Sequence, residues 1–555
     1  MKKIIYFPVI LLLVLLTGCE DFLTQKNLYE KSDESYFSSP EDVDEALTGA
    51  YAAIPNPAGN NNPFIVAKLM SDDAFGGGGA NDDGFDATDA FTLTEPDYYT
   101  DLFSNSWPGI LRVNLILKRF DQVEYTSESR KNQALGEAHF LRAFFYFRLS
   151  QFFGPVPLKL NTDPVNLPRA TPEEMYGQIA YDLKTAIDIM PSTPYQSIGA
   201  GRLGHANKWI AQGYLARVFL FYTGYYNKTE IELADGSVLT KADVITYLQD
   251  CIDNSGYGLL PDFRNQWPYS DTVHVKHYPF NTINNLGWVG ETGDNYESMF
   301  MIKYSVFGSW ATNDPLSYNN QHSLYSGMRL HTTVPFGYGW GGGPVNPQLY
   351  ESFEDGDLRR DGSIVNINDP AEGDESVAAN YQWNADNNMD ESGFLEKKYM
   401  PIYDSSGARA VSIYFMMYPS AQDNQQLWNM QDDVLLRFAD ILLMHSELTE
   451  TADGMNLVRE RAGLGEVSYS LAALQAERRH ELAFEGLRYF DLLRWGIAEQ
   501  AIEAANGVAI QDVGNPSTYS VDFPASTGGF LPIPKTEITL SNGVMEQTPG
   551  WDQYQ

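Results

Sequence analysis

The chain has 555 residues and a formal charge of −36, with 43% hydrophobic and 13% aromatic side chains. This composition is typical of a globular protein with a large core. Because lysine and arginine must neutralise phosphates, the negative charge argues against broad contact with nucleic acid or with anionic lipid headgroups.

The N-terminus has the pattern of an export signal. Lys2 and Lys3 precede an apolar run from Ile4 to Leu16, which only Pro8 interrupts. Thirteen residues are too few for a helix that spans a bilayer, but they suit the apolar region of a signal peptide. We therefore predict an exported protein.

The signal ends in Leu-Thr-Gly-Cys at residues 16–19, which resembles a bacterial lipobox. In that class of signal the chain is cleaved before the cysteine, which is then lipidated, for example with palmitate. The sequence thus predicts a lipoprotein signal peptide over 1–18, lipid attachment at Cys19 and a tether over 19–28. The alternative is an ordinary signal peptide with an incidental cysteine.

The second cysteine, Cys251, lies in an apolar helical pattern over 244–252. If Cys19 carries lipid, Cys251 has no partner for a disulfide. We predict a buried, unreactive side chain.

Four segments have the hydrophobic periodicity of helices. In residues 133–149, Ala134, Ala138, Leu141 and Phe145 fall on one face, and the helix is expected to end before Gly154-Pro155. The other predicted helices cover 206–222, 434–449 and 471–495.

The first of these helices also has the spacing of a tetratricopeptide repeat. Ala143, Phe147, Ser150 and Pro155 match the A-x3-F-x2-small-x4-P pattern of the second helix of such a repeat. The predicted fold is therefore a scaffold of helix pairs.

Two long polar segments, Asp72–Asp97 and Tyr269–Asn346, are not expected to be helical. Loops of this length are usually functional or disordered, and their aromatic content argues for order. No Pro- or Ser-rich linker separates domains, so we predict a single domain over 29–555 with loop insertions around 71–99 and 269–346.

Residues 334–347 read VPFGYGWGGGPVNP and contain the pattern G-x-G-x-x-G. In a nucleotide-binding fold a helix must follow this pattern and present its N-terminus to a phosphate. Here Pro344 and Pro347 follow, and the stretch has no basic residue. The stretch favours a surface that presents Tyr338 and Trp340 for stacking.

The sequence has no Walker A loop, G-x-S-x-G elbow or H-E-x-x-H helix. His274 and His277 are close in sequence but lack a further ligand in a zinc spacing. Asn81-Asp82-Asp83 with Asp86 and Asp89 has oxygen ligands suited to a structural calcium ion, although a solvated turn is the favoured interpretation. A carboxylate pair of a glycoside hydrolase stays open, because 73 acidic residues always allow some pair.

Several segments along nearly the whole chain resemble one family, the SusD/RagB nutrient-binding lipoproteins of the Bacteroidota outer membrane. They are CEDFL (19–23), GEAHFLRAFFYFRLSQFFGPVPL (136–158), GRLGHANKWIAQGYLARVFLF (201–221), DVLLRFADILLMHSELTE (433–450), ERRHELAFEGLRYFDLLRWG (477–496) and LPIPKTEITLSNGVMEQTPGW (531–551).

The resemblance implies a mainly α fold with four tetratricopeptide-like helix pairs and long inserted ligand-binding loops. It implies a protein without catalytic residues or a required cofactor, anchored by lipid in the outer membrane and facing the cell exterior. Such proteins cover a SusC-like TonB-dependent transporter and deliver an oligosaccharide to it. Capture of a peptide is the alternative within the family, and glycoside hydrolysis is the alternative outside it.

The resemblance also implies where the ligand binds. Trp310, Tyr338 and Trp340 are expected to supply ring planes for sugars, and Asp72, Asp73 and Asn81 to supply hydrogen bonds. For peptide capture, the two aspartates would meet cationic or amide groups.

Other side chains are expected to be structural. Tyr318 and Tyr325 are assigned to the core or the rim of the site. Charged residues of the fifth segment, namely Arg478, Arg479, Glu481 and Glu485, are expected to form a buried or half-buried charge network that braces helices.

Overall fold

The computed structural model describes residues 36–54, 61–290, 294–304, 320–369, 380–406, 409–418, 426–427 and 429–554. The predicted signal peptide, tether and lipid attachment at Cys19 lie outside these residues, as do Trp310 and Tyr318.

The described chain is mainly helical. Its α-helices are α1 (Pro40–Tyr51), α2 (Pro63–Leu69), α3 (Asp83–Asp89), α4 (Thr100–Ser104), α5 (Ser106–Arg119), α6 (Glu128–Phe153), α7 (Pro172–Ile189), α8 (Lys208–Tyr225), α9 (Lys241–Asn254), α10 (Pro279–Ile283), α11 (Gln321–Ser326), α12 (Pro347–Ser352), α13 (Leu358–Ser363), α14 (Ile413–Met417), α15 (Phe438–Thr449), α16 (Asp453–Arg461), α17 (Leu471–Leu482), α18 (Arg488–Arg494), α19 (Ala498–Glu503) and α20 (Lys535–Leu540).

The strands are short and pair two by two. They are β1 (Glu230–Glu232), β2 (Val238–Thr240), β3 (Ser298–Ile302), β4 (Met328–Arg329), β5 (Tyr338–Gly339), β6 (Ile364–Asn366), β7 (Phe394–Glu396), β8 (Tyr403–Ser406), β9 (Arg409–Ser412), β10 (Asp433–Arg437), β11 (Ala509–Asp512) and β12 (Asn515–Thr518). The pair β4–β5 is parallel, and the other pairs, β1–β2, β3–β10, β6–β7, β8–β9 and β11–β12, are antiparallel.

Helix α6 is the centre of the scaffold. Ser127 caps its first turn by accepting a hydrogen bond from the amide of Arg130, and the helix ends at Gly154, whose φ of +69° favours glycine. Apolar side chains are buried on all sides of its second half, which is the pattern of a helix enclosed by others. The predicted helix over 133–149 is confirmed within a longer element.

The long helices pack in succession. Helix α6 packs between α5 and α7, α7 packs on α8, α8 on α9, and α9 on α15. One large core joins them. The tetratricopeptide positions Ala143, Phe147 and Ser150 are all buried in this core. The mainly α fold of packed helix pairs with inserted loops is confirmed.

Two of the predicted helices are wrong in part. Residues 433–437 form strand β10, which pairs with β3, and the helix begins only at Phe438. A short apolar run does not by itself distinguish a strand from a helix, and here pairing with β3 decides the outcome.

The predicted helix over 471–495 is interrupted. Helix α17 ends at Leu482, Phe484 and Gly486 take positive φ angles of 67° and 71°, and α18 begins at Arg488. The break holds Glu485 beside Lys398 and Arg437, so ion pairing outweighs helix propensity at this position.

The polar segments contain more regular structure than expected. Helix α3 lies within 72–97, and two short helices and three short strands lie within 269–346. A second core of aromatic and aliphatic side chains from residues 263–434 supports the second segment. Cys251 is fully buried in α9, where burial raises the pKa of its thiol to about 12 and keeps the thiol protonated.

Candidate functional site

Three glycine- and asparagine-rich loops come together at one surface. The amide of Gly78 donates to the carbonyl of Gly341 (3.0 Å), and the amide of Gly343 donates to the carbonyl of Gly76 (3.0 Å). The third loop joins them because the amide of Met389 donates to Gly78 (2.9 Å). Segments from far apart in the chain therefore form one backbone-paired base.

Trp340 lies in the middle loop, directly after β5. Its backbone amide donates to the carbonyl of Leu324 (2.9 Å). Its ring is half-buried against a small cluster of apolar side chains, namely Ile65, Leu69, Phe85 and Tyr325. Part of the ring is therefore anchored, and part is open to solvent.

The glycines of this loop permit close packing. A Cβ atom at Gly342 would lie 1.9 Å from a ring carbon of Tyr325, and one at Gly341 would lie 2.8 Å from Cβ of Arg329. Gly341 also has a positive φ of 74°. No helix begins here: α12 starts only at Pro347, after its cap Asn346. The loop thus lacks the geometry of a nucleotide-binding turn, as the sequence indicated.

Arg329 on β4 connects the three loops. One guanidinium nitrogen, Nη1, donates to the carbonyl of Trp340 (3.1 Å) and to Oδ2 of Asp82 (3.2 Å), while Nη2 donates to Oδ2 of Asp386 (2.9 Å). A Cβ atom at Gly79 would lie 2.0 Å from Nη2, so a larger residue there would displace the guanidinium.

A second group of rings lies on the 380–390 loop. The ring of Tyr381 contacts His331 and Trp383 in edge-to-face geometry, with 5.3 Å between centroids in each pair. The hydroxyl of Tyr381 donates to Glu391 (2.9 Å), which also accepts from the amide of Asn384. Trp383 is 39% exposed and is the most open tryptophan of this surface.

We call this surface the aromatic platform and define it by Tyr338, Trp340, Tyr381 and Trp383 with Arg329. Its rings can stack against the C–H faces of sugars, and its amides and carboxylates can bond hydroxyl groups. Tyr338 is half-buried, and Asn81 is exposed on the neighbouring loop.

The sequence pointed to Tyr338, Trp340 and Asn81 in this region, but it did not single out Arg329, Tyr381 or Trp383. The sequence feature that could have indicated this third loop is the run from Asn384 to Asp390. Asn and Asp tolerate left-handed backbone, and four residues of this run, including Asn384 and Asp386, have positive φ angles.

The structure puts Asp72 and Asp73 in a different environment from the one expected for ligand contacts. Asp72 is 7% exposed and accepts two bonds from Arg488 (2.7 and 2.8 Å), while Asp73 is 1% exposed and accepts from Arg479 (2.7 Å). Burial alone raises the pKa of Asp72, but the charges of Arg479 and Arg488 outweigh it and lower that pKa to about 2. This geometry favours a structural role for both aspartates, which anchor the start of the first loop to α17 and α18.

The predicted charge network around α17 is confirmed, and it is buried. Glu481 accepts bonds from Arg437, Arg461 and Arg359, and Glu485 accepts from Arg437. Burial would raise the pKa of Glu481, but these guanidiniums hold it well below its usual range.

The other predicted charged residues of this region also pair. Arg478 donates to Asp440 (2.6 Å) and Asp491 (2.9 Å), and Arg479 to Asp73 as described. Tyr325 is fully buried, as expected for a core residue.

Within the described residues, no group of three or more His, Cys, Asp or Glu side chains is arranged to hold a metal ion. His274 pairs with Asp271 and His277 with Asp404, so the two histidines do not converge. In the acidic run, Asp82 accepts from the amide of Gly79 and Asp89 from Tyr519.

Two family models match the chain. A model described as "Starch-binding associating with outer membrane" matches residues 21–220, and a model of the SusD family matches residues 308–551. Together with the mainly helical fold and its inserted loops, these matches show that the chain belongs to the SusD family.

Named relatives are similar to this chain over most of its length. The chain is 22% identical to SusD-like protein P2 of Formosa agariphila, with 98% of each chain covered. It is 24% identical to a SusD-like protein of Bacteroides ovatus, over 87% of this chain and 80% of the relative.

Solved structures share the fold. A laminarin-binding SusD-like protein has a TM-score of 0.71 at 23% identity, covering 93% of this chain and 100% of the other. Surface glycan-binding protein A of Bacteroides thetaiotaomicron, in complex with laminarihexaose, has a TM-score of 0.70 at 21% identity, covering 92% and 100%. No helix among the described residues is both long and apolar enough to cross a membrane.

Proposed function

We propose that the protein is a cell-surface glycan-binding lipoprotein that captures oligosaccharides on the aromatic platform. The observation that carries this proposal is that three backbone-paired loops, which Arg329 links, carry four partly exposed rings and several hydrogen-bonding groups on a helical scaffold. Solved relatives of the same fold whose names refer to laminarin and surface glycans support it.

We further propose that the captured glycan passes to a SusC-like TonB-dependent transporter in the outer membrane. Family membership supports this step. Trp310 lies outside the described residues, and its part in binding stays a prediction, as do those of Asn81 and of a structural calcium ion.

The alternative of peptide capture loses its main residues. It required Asp72 and Asp73 to meet cationic or amide groups, but both carboxylates are buried and already paired with arginine. Hydrolysis of a glycan would need a carboxylate pair near the rings. Asp82 and Asp386 lie in this region, but both are bonded to Arg329, which does not favour their acting as that pair.

The test is incubation of the purified protein with panels of polysaccharides and peptides, followed by calorimetric titration and product analysis. We expect saturable binding to a polysaccharide and no new reducing ends. Affinity for peptides alone would contradict the proposal, and catalytic turnover of a glycan would identify a hydrolase.

The lipid anchor is tested separately. Cys19→Ala should prevent acylation, since lipidated signals require this cysteine, and should release the protein from the membrane fraction or stop its processing. Stable attachment takes more than one acyl chain, so we expect the mature protein to carry several. Membrane fractionation of the variant, in a strain without the transporter, is the measurement; unchanged membrane association would contradict the anchor.

A further inference from the structure

The charges around the aromatic platform are almost all negative. Four sequence segments pair with one another here, 76–90, 328–343, 380–393 and 509–515, the last of which contains the β11–β12 turn. The hairpin β8–β9, which packs on Gly337 through Tyr403, contains Asp404 and Arg409. Gln511 on β11 exchanges backbone bonds with Glu391, and the amide of Val513 in the turn donates to the carbonyl of Asn388. The acidic residues of these segments are Asp82, Asp83, Asp86, Asp89, Asp386, Asp390, Glu391 and Asp512.

The same four segments contain only one lysine or arginine, Arg329, compared with eight acidic residues. Its two terminal nitrogens already donate to Asp82, Asp386 and the carbonyl of Trp340, and its side chain is 16% exposed. An anion that approached this guanidinium would meet the two carboxylates that flank it.

His331 does not add a positive charge. Its Nδ1 donates to the carbonyl of Arg329 (2.6 Å), and burial lowers the pKa of its imidazole, which is therefore neutral at pH 7. The nearest lysine beneath the loops, Lys68, is fully buried and is paired with Glu396 (2.5 Å), so it is not presented to a ligand.

Not every carboxyl of these segments carries a full charge. Burial, with a smaller contribution from Asp390, raises the pKa of Asp512 and raises that of Asp89 well above its usual range, so Asp89 is not counted among the negative charges.

From these observations we infer that the platform selects uncharged glycans and rejects polyanionic ones, such as sulfated or uronate-rich polysaccharides. Like charges brought together at a binding surface cost affinity, whereas stacking and hydroxyl hydrogen bonds require no charge on the ligand. This inference rests on the proposed function and specifies its substrate class.

The test compares each neutral polysaccharide with a charged counterpart. Laminarin, starch, xylan and mannan, and the sulfated derivative of each, are titrated at low salt, with alginate and carrageenan as natural polyanions. We expect at least one neutral polymer to bind, its sulfated form to bind at least about tenfold more weakly, and the difference to shrink at 0.5 M salt through screening.

A charge variant adds an independent readout. Asp82→Asn with Asp386→Asn removes the two carboxylates beside Arg329, and we expect it to reduce the ratio of neutral to sulfated affinity at least about threefold. The matched control is Glu41→Gln with Asp44→Asn, because these two carboxylates flank Arg130 in the same way on another surface. The control changes the net charge equally and should leave the ratio unchanged.

The outcomes distinguish a wrong substrate class from a wrong proposed function. If alginate, carrageenan or a sulfated polymer binds as tightly as the neutral forms, the inference is wrong while glycan capture stands. An equal change of ratio in the control pair would also overturn it, since total charge would then explain the preference. If no polysaccharide binds, the proposed function fails, and the inference fails with it.

Discussion

Trp340 illustrates how one side chain serves both packing and recognition. One part of its ring packs on Phe85 and Tyr325, and the rest is open to solvent. From the sequence, this ring was expected only to be presented for stacking. The half-buried ring therefore changes what its removal should do.

Trp340→Ala should weaken glycan binding by about 5- to 150-fold, because a lost stacking plane is worth roughly 1–3 kcal/mol. It should also lower the free energy of unfolding by about 1–2 kcal/mol through lost contacts with the small cluster. Titration and a melting curve on the same variant measure the two effects.

Trp340→Phe is the control, since it keeps a ring plane and most of the packing. We expect it to retain much of the affinity. If Trp340→Ala binds as tightly as the unaltered chain, the ring has no part in recognition.

At the scale of elements, close packing of glycines against aromatic rings holds the glycine-rich loop in place, rather than regular secondary structure. Gly342 faces the ring of Tyr325, and Gly337 faces the ring of Tyr403, with no room for a Cβ atom at either position. These contacts fix the position of Trp340 between them.

Gly342→Ala should displace the loop, since its Cβ atom would lie 1.9 Å from the ring of Tyr325. Overpacking of this kind costs about 1–3 kcal/mol, and glycan affinity should fall as the rings move. Thermal unfolding and titration are the measurements. Gly287→Ala is the control, because a Cβ atom there meets nothing within 4 Å; equal behaviour of the two variants would contradict the packing argument.

The helices and strands also show which parts of the fold could be predicted from the sequence. The core of the long helix α6 was predictable because apolar periodicity and the stop at Gly154-Pro155 agree, although its start at Glu128 was not predicted. Strand β10 was not, since only β3, more than 100 residues earlier, makes residues 433–437 a strand. The break after α17 likewise depends on partners of Glu485 that are distant in sequence.

The candidate site was predictable in part for a similar reason. The glycine pattern drew attention to Tyr338 and Trp340, but Arg329 becomes significant only when folding brings Asp82 and Asp386 to it. Asp72 and Asp73 appeared available because their arginine partners lie about 400 residues later in the chain.

At the scale of the whole molecule, a buried charge network joins the middle of the chain to its C-terminal helices. Arg437 is 1% exposed and donates to Glu297, Glu481 and Glu485, which come from a loop, α17 and the break after α17. Removing one partner of such a set leaves buried charge without compensation.

Arg437→Met should therefore destabilise the protein by about 3–5 kcal/mol. The matched control is Arg130→Met, since Arg130 pairs with Glu41 and Asp44 at an exposed site and such pairs contribute about 0–1 kcal/mol. Unfolding by urea compares the two. Similar shifts in both variants would contradict a bracing role for the buried network.

The central claim is that exposed rings on the loops bind glycan, and Trp383 tests it most directly. Trp383 is 39% exposed and its ring contacts Tyr381, so Trp383→Ala should lower the melting temperature only slightly. For a neutral polysaccharide that binds the unaltered protein, titration should give an affinity for this variant that is about 5- to 150-fold lower. Leu540→Ala, which removes an exposed side chain from a groove that shares no residue with the platform, should bind normally. Undiminished affinity of Trp383→Ala, with the same melting curve, would contradict the account.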